Sequence, residues 1–244
     1  MRKILVLHGA MYGGAIKDLG DMTSRSEEFL KDPKSFDLIL FTGGEDVSPS
    51  LYGEASPKGL CGNSMRRDVN EMAIYKLARK HNVKMVGICR GIQFLNVMAG
   101  GKMFHDVNNH AGQLHDMRLL SGRIIRINSY HHQMVRPPED AKIVGWADKR
   151  LSTYYCGEND ERVGYDGVEP EVVIYPNCRS FGAQYHPEMI PEKYDAYKFF
   201  WQMVSDSLSM KWEDFVTSYT KEKDHDEYDK VQPAEDAKSV SYFA

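Results

Sequence analysis

The sequence predicts an α/β fold, a mainly parallel sheet flanked by helices, and three observations carry that prediction. Short apolar runs of strand length, Lys3 to His8, Phe36 to Phe41 and Val83 to Ile88, are separated by helix-like segments, which is the alternation that βαβ units leave in a sequence. With 244 residues, 42% hydrophobic and 27% charged, the chain can bury one large core and has the composition of an ordinary globular domain. The third apolar run ends in Gly87-Ile88-Cys89-Arg90-Gly91 and is followed at once by a second apolar stretch, the signature of a sharp strand-to-helix turn.

Taken in order, the first run is too short for a signal peptide and has no small-residue cleavage site behind it. No apolar stretch reaches the roughly 18 residues needed to span a bilayer, so a cytoplasmic location is expected. Between Arg67 and His81, Val69, Met72, Ala73 and Leu77 recur at helical spacing with charges on the other face. The run Ile92 to Ala99 is apolar on most sides and stops at Gly100-Gly101, which reads as a buried helix with a glycine cap. Arg123 to Asn128, Ala141 to Trp146, Glu171 to Tyr175 and Phe181 to Tyr185 read as short strands that complete the sheet or add a small β-layer. A helix is expected from Pro191, a residue suited to a first turn, to about Ser207. Its Tyr197, Phe199, Phe200 and Trp201 are expected in the core. Residues 1–220 are read as one domain, and 221–244, rich in charge and poor in apolar anchors, as a flexible tail.

Composition excludes several partners. Thirty-one Lys plus Arg against thirty-five Asp plus Glu leave a net charge of -4, so neither nucleic acid nor an anionic membrane is expected. The four cysteines form no CxxC pair and read as reduced thiols. His105, His110 and His115 recur every five residues, whereas helical metal ligands recur at three or four, so no metal is expected. No cofactor is expected either, and no P-loop for ATP is present in the sequence. The oligomeric state is not legible.

The chemistry concentrates at Cys89. Glycines on both sides permit a sharp backbone turn, and the helix that follows aims its free N–H groups and positive dipole end at the sulfur, favouring thiolate. A cysteine nucleophile needs a base and a group that orients the base. Among nine histidines, His186 stands at the end of a predicted strand in Gln184-Tyr185-His186-Pro187-Glu188. On an extended chain, which Pro187 favours, His186 and Glu188 project to one side, so the carboxylate can hold the imidazole while its other nitrogen faces Cys89.

Together these residues resemble the class I glutamine amidotransferase family, in which an elbow cysteine pairs with a late His-Pro-Glu. Thr42-Gly43-Gly44-Glu45-Asp46-Val47-Ser48-Pro49, Leu51-Tyr52-Gly53-Glu54, Arg67-Asp68 with Glu71, Arg90, and Asn128-Ser129-Tyr130-His131-His132-Gln133 are similar to the branch containing γ-glutamyl-γ-aminobutyrate hydrolase, peptidase C26-like proteins. The resemblance implies a flavodoxin-like fold, an oxyanion hole from the Gly44 and Arg90 N–H groups, and substrate contacts from Gly43, Gln93 and His132. It also implies a small-molecule γ-glutamyl substrate or glutamine, cleaved through a Cys89 thioester. The alternatives are a glutaminase subunit that passes ammonia to a separate synthetase or ligase, and a catalytically idle binding protein. Three departures stand out: Thr42 replaces the family's usual proline, the stretch between the first two strands is short, which bears on the substrate pocket, and the charged tail lies outside the family pattern.

Overall fold

The computed structural model describes residues 1–221, so the tail expected over 221–244 lies, from residue 222 on, outside the described residues. In chain order the strands are β1 (Lys3–Val6), β2 (Asp21–Thr23), β3 (Leu38–Phe41), β4 (Lys84–Ile88), β5 (Lys102–Phe104), β6 (Asp106–Val107), β7 (Ala111–Leu119), β8 (Ile124–Tyr130), β9 (Met134–Arg136), β10 (Lys142–Ala147), β11 (Tyr155–Cys156), β12 (Arg162–Val163), β13 (Pro170–Tyr175) and β14 (Ser180–Ala183). The helices are α1 (Ser26–Lys31), α2 (Met65–Lys80), α3 (Arg90–Met98), α4 (Asp195–Ser209) and α5 (Trp212–Thr220).

Nine strands form the central sheet in the order β2-β1-β3-β4-β14-β13-β10-β7-β8. From β2 to β14 all neighbours are parallel, and the strands beyond β14 extend the sheet antiparallel. The parallel part is apolar on both faces, as helix-covered parallel sheets must be. Its period-2 alternation divides the core in two. Ile4, Val6, Leu38, Leu40, Val86 and Ile88 face α4 and α5, where Phe200, Met203, Trp212 and Phe215 are buried. Leu5, Leu7, Ile39, Phe41 and Met85 face the opposite layer, with Phe29 of α1, Ile74 of α2 and Phe94 of α3. The result is an α/β/α sandwich around the sheet that the sequence predicts.

The expected helix after Gly91 is α3, and Gly100 ends it with φ +93° and an N–H donated to the Val97 carbonyl at 3.0 Å. The helix placed at Pro191 begins instead at Asp195. Pro191 lies one turn earlier, where its carbonyl accepts the Tyr194 N–H at 3.0 Å and closes a separate turn. Tyr197 and Phe200 are buried, and Phe199 and Trp201 pack partly buried against the same cluster. Among the described residues no helix is long and apolar enough to cross a membrane.

Candidate active site

The site forms where two adjacent parallel strands end. Ala183 of β14 pairs with Ile88 of β4, so the residues that follow, Gln184 to His186 and Cys89, leave the sheet at the same edge. Cys89 is the N-cap of α3 with φ 52° and ψ -111°, a strained backbone for a side-chain-bearing residue. Its N–H donates to the Ala183 carbonyl at 2.8 Å, which ties the elbow to β14. Both flanking glycines are required by close approach: a Cβ on Gly87 would stand 2.3 Å from the Ile92 nitrogen, and one on Gly91 would stand 2.0 Å from the Phe41 carbonyl oxygen.

His186 is held from several sides. Its N–H donates to Asn128 Oδ1 at 2.9 Å, and Asn128 Nδ2 donates back to its carbonyl at 3.1 Å, so β8 clamps the loop at two points. Its Nδ1 lies 2.7 Å from the Glu188 carboxylate, itself almost fully buried. The chain does not stay extended through this pair as the sequence suggested. Pro187–Met189 forms a 3-10 turn, and that turn brings Glu188 back under the imidazole. Burial draws the imidazole toward its neutral form, but hydrogen bonding and charge from the Cys89 sulfur and Glu188 outweigh it, and the His186 pKa is pushed up to about 10. At neutral pH His186 therefore carries its proton between Glu188 and Cys89.

The Gly43-Gly44 turn reaches the same place. A Cβ on Gly43 would stand 2.5 Å from the Tyr12 hydroxyl and 3.2 Å from His186 Cε1. Gly44 has φ +134°, and a Cβ there would meet Arg67 Nη1 at 2.2 Å. Thr42 fixes the turn: its hydroxyl donates to the Leu7 carbonyl at 2.5 Å, and its own carbonyl accepts from Arg67 Nη2 at 2.9 Å.

Arg90 follows the nucleophile, yet its guanidinium turns away from the substrate side and pairs with Asp68 and Glu71 of α2, all three buried. Glu71 also accepts from Arg67 Nε at 2.9 Å, and Asp68 accepts the Ser48 N–H at 3.0 Å. One ionic network thus supports both the elbow and the Gly43-Gly44 turn. Gln93, one turn along α3, is buried and donates to the Gln133 carbonyl at 3.2 Å. His132 has both ring nitrogens engaged, 3.2 Å from Asp46 Oδ1 and 3.1 Å from Asp106 Oδ1. These contacts, led by Asp46, raise its pKa to about 9. The structure therefore brings Cys89, His186, Glu188 and Gly43 together, whereas the Gln93 amide nitrogen and both His132 ring nitrogens are engaged by other partners.

Two tyrosines join the site: Tyr130 belongs to the Asn128–Gln133 motif that the sequence singled out, whereas nothing in the sequence marked Tyr12. Tyr12, in the 3-10 turn Ala10–Ile16, and Tyr130, at the end of β8, place their rings 6.2 and 5.8 Å from that of His186. Burial, and then the charges of Glu188 and Cys89, push the Tyr12 hydroxyl up to about 12, so it remains a hydrogen-bond donor beside the nucleophile.

Comparison with known proteins agrees with this architecture. Residues 22–119, which include Gly43, Gly44, Cys89 and Arg90, match the Peptidase C26 family model. Protein NtpR of Enterococcus hirae is 27% identical over 176 residues, 63% of this chain and 67% of that protein. A Lactococcus lactis protein named as glutamine amidotransferase-like, YvdE, is 32% identical over 120 residues, 41% of this chain and 51% of its own length. The chain thus spans about half to two thirds of these curated relatives. Among solved structures, the glutaminase domain of Trypanosoma brucei CTPS, with bound acivicin, matches with a TM-score of 0.51 at 14% identity, covering 87% of this chain and 96% of that one. That likeness shows the fold.

Proposed function

We propose that this chain, a class I glutamine amidotransferase-like protein, hydrolyses a γ-glutamyl amide through a thioester on Cys89. The observation that supports the reading most is the position of His186: Glu188 occupies its Nδ1, which leaves Nε2 for a sulfur placed on a strained elbow at a helix start. A cysteine sulfur there attacks the γ-carbonyl carbon, and the carbonyl oxygen becomes an oxyanion received by the Gly44 and Arg90 N–H groups, each such donor supplying roughly 2.7 to 4 kcal/mol. Donation of the His186 Nε2 proton to the amide nitrogen lets the C–N bond break, releasing the amine and leaving the thioester. Water then attacks the thioester carbon as His186 takes its proton, the C–S bond breaks, and the γ-carboxylate leaves. Gly43 carries no side chain where the substrate carbonyl must approach, and Tyr12 stands at its edge as a donor.

The similarity to a protein named as glutamine amidotransferase-like favours a second reading, in which free glutamine is the substrate and a partner synthetase or ligase consumes the ammonia. An idle binding role fits less well, because the buried Cys89–His186–Glu188 arrangement is intact. A steady-state screen of purified protein against glutamine and several γ-glutamyl amines, with Cys89→Ala as control, separates them. Turnover of amines but not glutamine supports the hydrolase. Turnover of glutamine alone, or only beside a co-purifying protein, supports the second reading, and no turnover under any of these conditions overturns both.

A further inference from the structure

In the antiparallel half of the sheet, residues of β7 and β13 and those just before β7 and just after β8 form a buried cluster that the proposed chemistry does not use. His115 of β7 places Nε2 3.0 Å from Glu171 Oε1 on β13. His110 Nδ1 and His131 Nε2 stand 3.6 and 3.8 Å from the same oxygen. None of the four side chains is more than 6% exposed.

The hydrogen bonds around the cluster leave lone pairs facing inward. His131 Nδ1 lies 2.8 Å from the Gln133 carbonyl, which can only accept, so Nδ1 carries the hydrogen and Nε2 is a bare acceptor in the neutral ring. That acceptor faces a carboxylate, and neither His131 Nε2 nor Glu171 Oε2 has a hydrogen-bond partner. Two acceptors confronting each other in a dry interior are repulsive unless a cation lies between them. The surroundings have the form of outer partners to metal ligands: a backbone carbonyl behind His131, and Glu169 Oε2 3.3 Å from His110 Nε2. Glu169 is itself satisfied by the Leu151 and Ser152 N–H groups and the Tyr155 hydroxyl, so it is free to act as such a partner.

We propose that His110, His115 and Glu171, with the bare His131 Nε2 beside them, form a site for a divalent transition metal of the zinc class. Metal–ligand bonds of about 2.0–2.1 Å in a tetrahedron set ligand atoms about 3.3 Å apart, and the His115 and His110 nitrogens stand 3.0 and 3.6 Å from the Glu171 oxygen. The ligand atoms of His110, His115 and Glu171 all lie within 4.8 Å of one another. The five-residue spacing of His110 and His115 is wrong for helical ligands and for a regular strand, but β7 is bulged between Ala111 and Gln113, with Gly112 at φ +73°. An ion held there ties β7 to β13 in the sheet that also carries Asn128, which clamps His186. The second buried group, Cys61, His105 and Asp160, makes a weaker case, since both His105 nitrogens already have carboxylate partners.

The test uses the full chain stripped by a chelator and then loaded with Zn²⁺ or Co²⁺. Expected are about one equivalent of zinc per chain after gel filtration, the visible bands of four-coordinate cobalt without a thiolate charge-transfer band, and a raised Tm on zinc addition. Cys89→Ala keeps the stoichiometry, while His115→Ala and Glu171→Gln lose it. X-ray absorption of the zinc-loaded wild type, which needs no folded variant, shows only nitrogen and oxygen ligands with imidazole scattering. Less than about a tenth of an equivalent bound, sulfur in the ligand set, loss of binding in Cys89→Ala, or unchanged binding in both ligand variants overturns the site. None of these readouts depends on amide hydrolysis.

Discussion

His186 Nδ1 and Glu188 Oε1 meet at 2.7 Å with a single proline between the two residues, because the chain turns at Pro187. The carboxylate fixes which imidazole nitrogen carries the hydrogen, and the other nitrogen is left for sulfur. Cys89→Ala is expected to lower kcat by at least about four orders of magnitude, and His186→Ala by nearly as much. Glu188→Gln, which keeps the shape but removes the charge, loses less, on the order of 10²-fold. Turnover numbers at matched pH, with urea unfolding to confirm folded variants, check the order. A His186 variant as active as the wild type refutes the assignment.

The glycines of the elbow and of the Gly43-Gly44 turn are expected to behave differently. Gly91→Ala drives a Cβ into the Phe41 backbone and Gly87→Ala into the start of α3; backbone cannot yield, so each should cost about 3 kcal/mol or more. At Gly44 the obstacle is the far end of a flexible arginine, and the strain is that of φ +134°, worth about 1–3 kcal/mol. Gly44→Ala should therefore remain folded while kcat falls, since the N–H at that position is displaced. Urea midpoints alongside turnover distinguish the two classes.

Arg90, Asp68 and Glu71 offer a prediction about stability alone. All are buried, so removing one charge strands another, at a cost of about 3–5 kcal/mol. Glu71→Gln should approach that figure, because Glu71 serves Arg67 as well as Arg90. The exposed Arg126–Asp116 pair on β8 and β7 is the control: Arg126→Ala should change stability by less than about 1 kcal/mol. Equal effects in equilibrium urea unfolding would contradict this account of the network.

What the sequence made legible follows from how locally each feature is encoded. The elbow was readable because Gly87 and Gly91 are demanded by contacts within a few residues or one strand away, and the parallel strands because both their faces are apolar. β7 was not foreseen. Its buried positions His115, Met117 and Leu119 alternate as in any half-buried strand, but a histidine at a core position breaks the apolar pattern. Tyr12 was missed for a different reason: only the tertiary fold carries the turn after β1 to His186, and no periodicity marks a 3-10 segment containing Gly13-Gly14. The ionic partners of Arg90 were visible as a resemblance, but their role in supporting both loops required the distances.

The protonation of His186 gives the last prediction. Its folded-state pKa of about 10 stands above the roughly 6.5 of an unfolded chain, so the folded form binds the proton more tightly. The stability this contributes is complete below about pH 6.5 and is lost as pH rises through about 10. Burial opposes the shift, while Cys89 and Glu188 produce it; removing either partner should lower the midpoint. In a pH titration followed by NMR, the His186 imidazole should titrate far above 6.5 in the wild type and closer to it in Cys89→Ala and Glu188→Gln. Correspondingly, the stability difference between wild type and Glu188→Gln should be largest near neutral pH and shrink toward pH 10. A wild-type midpoint near 6.5, or a stability gap that widens with pH, would show that neither partner holds the proton on His186.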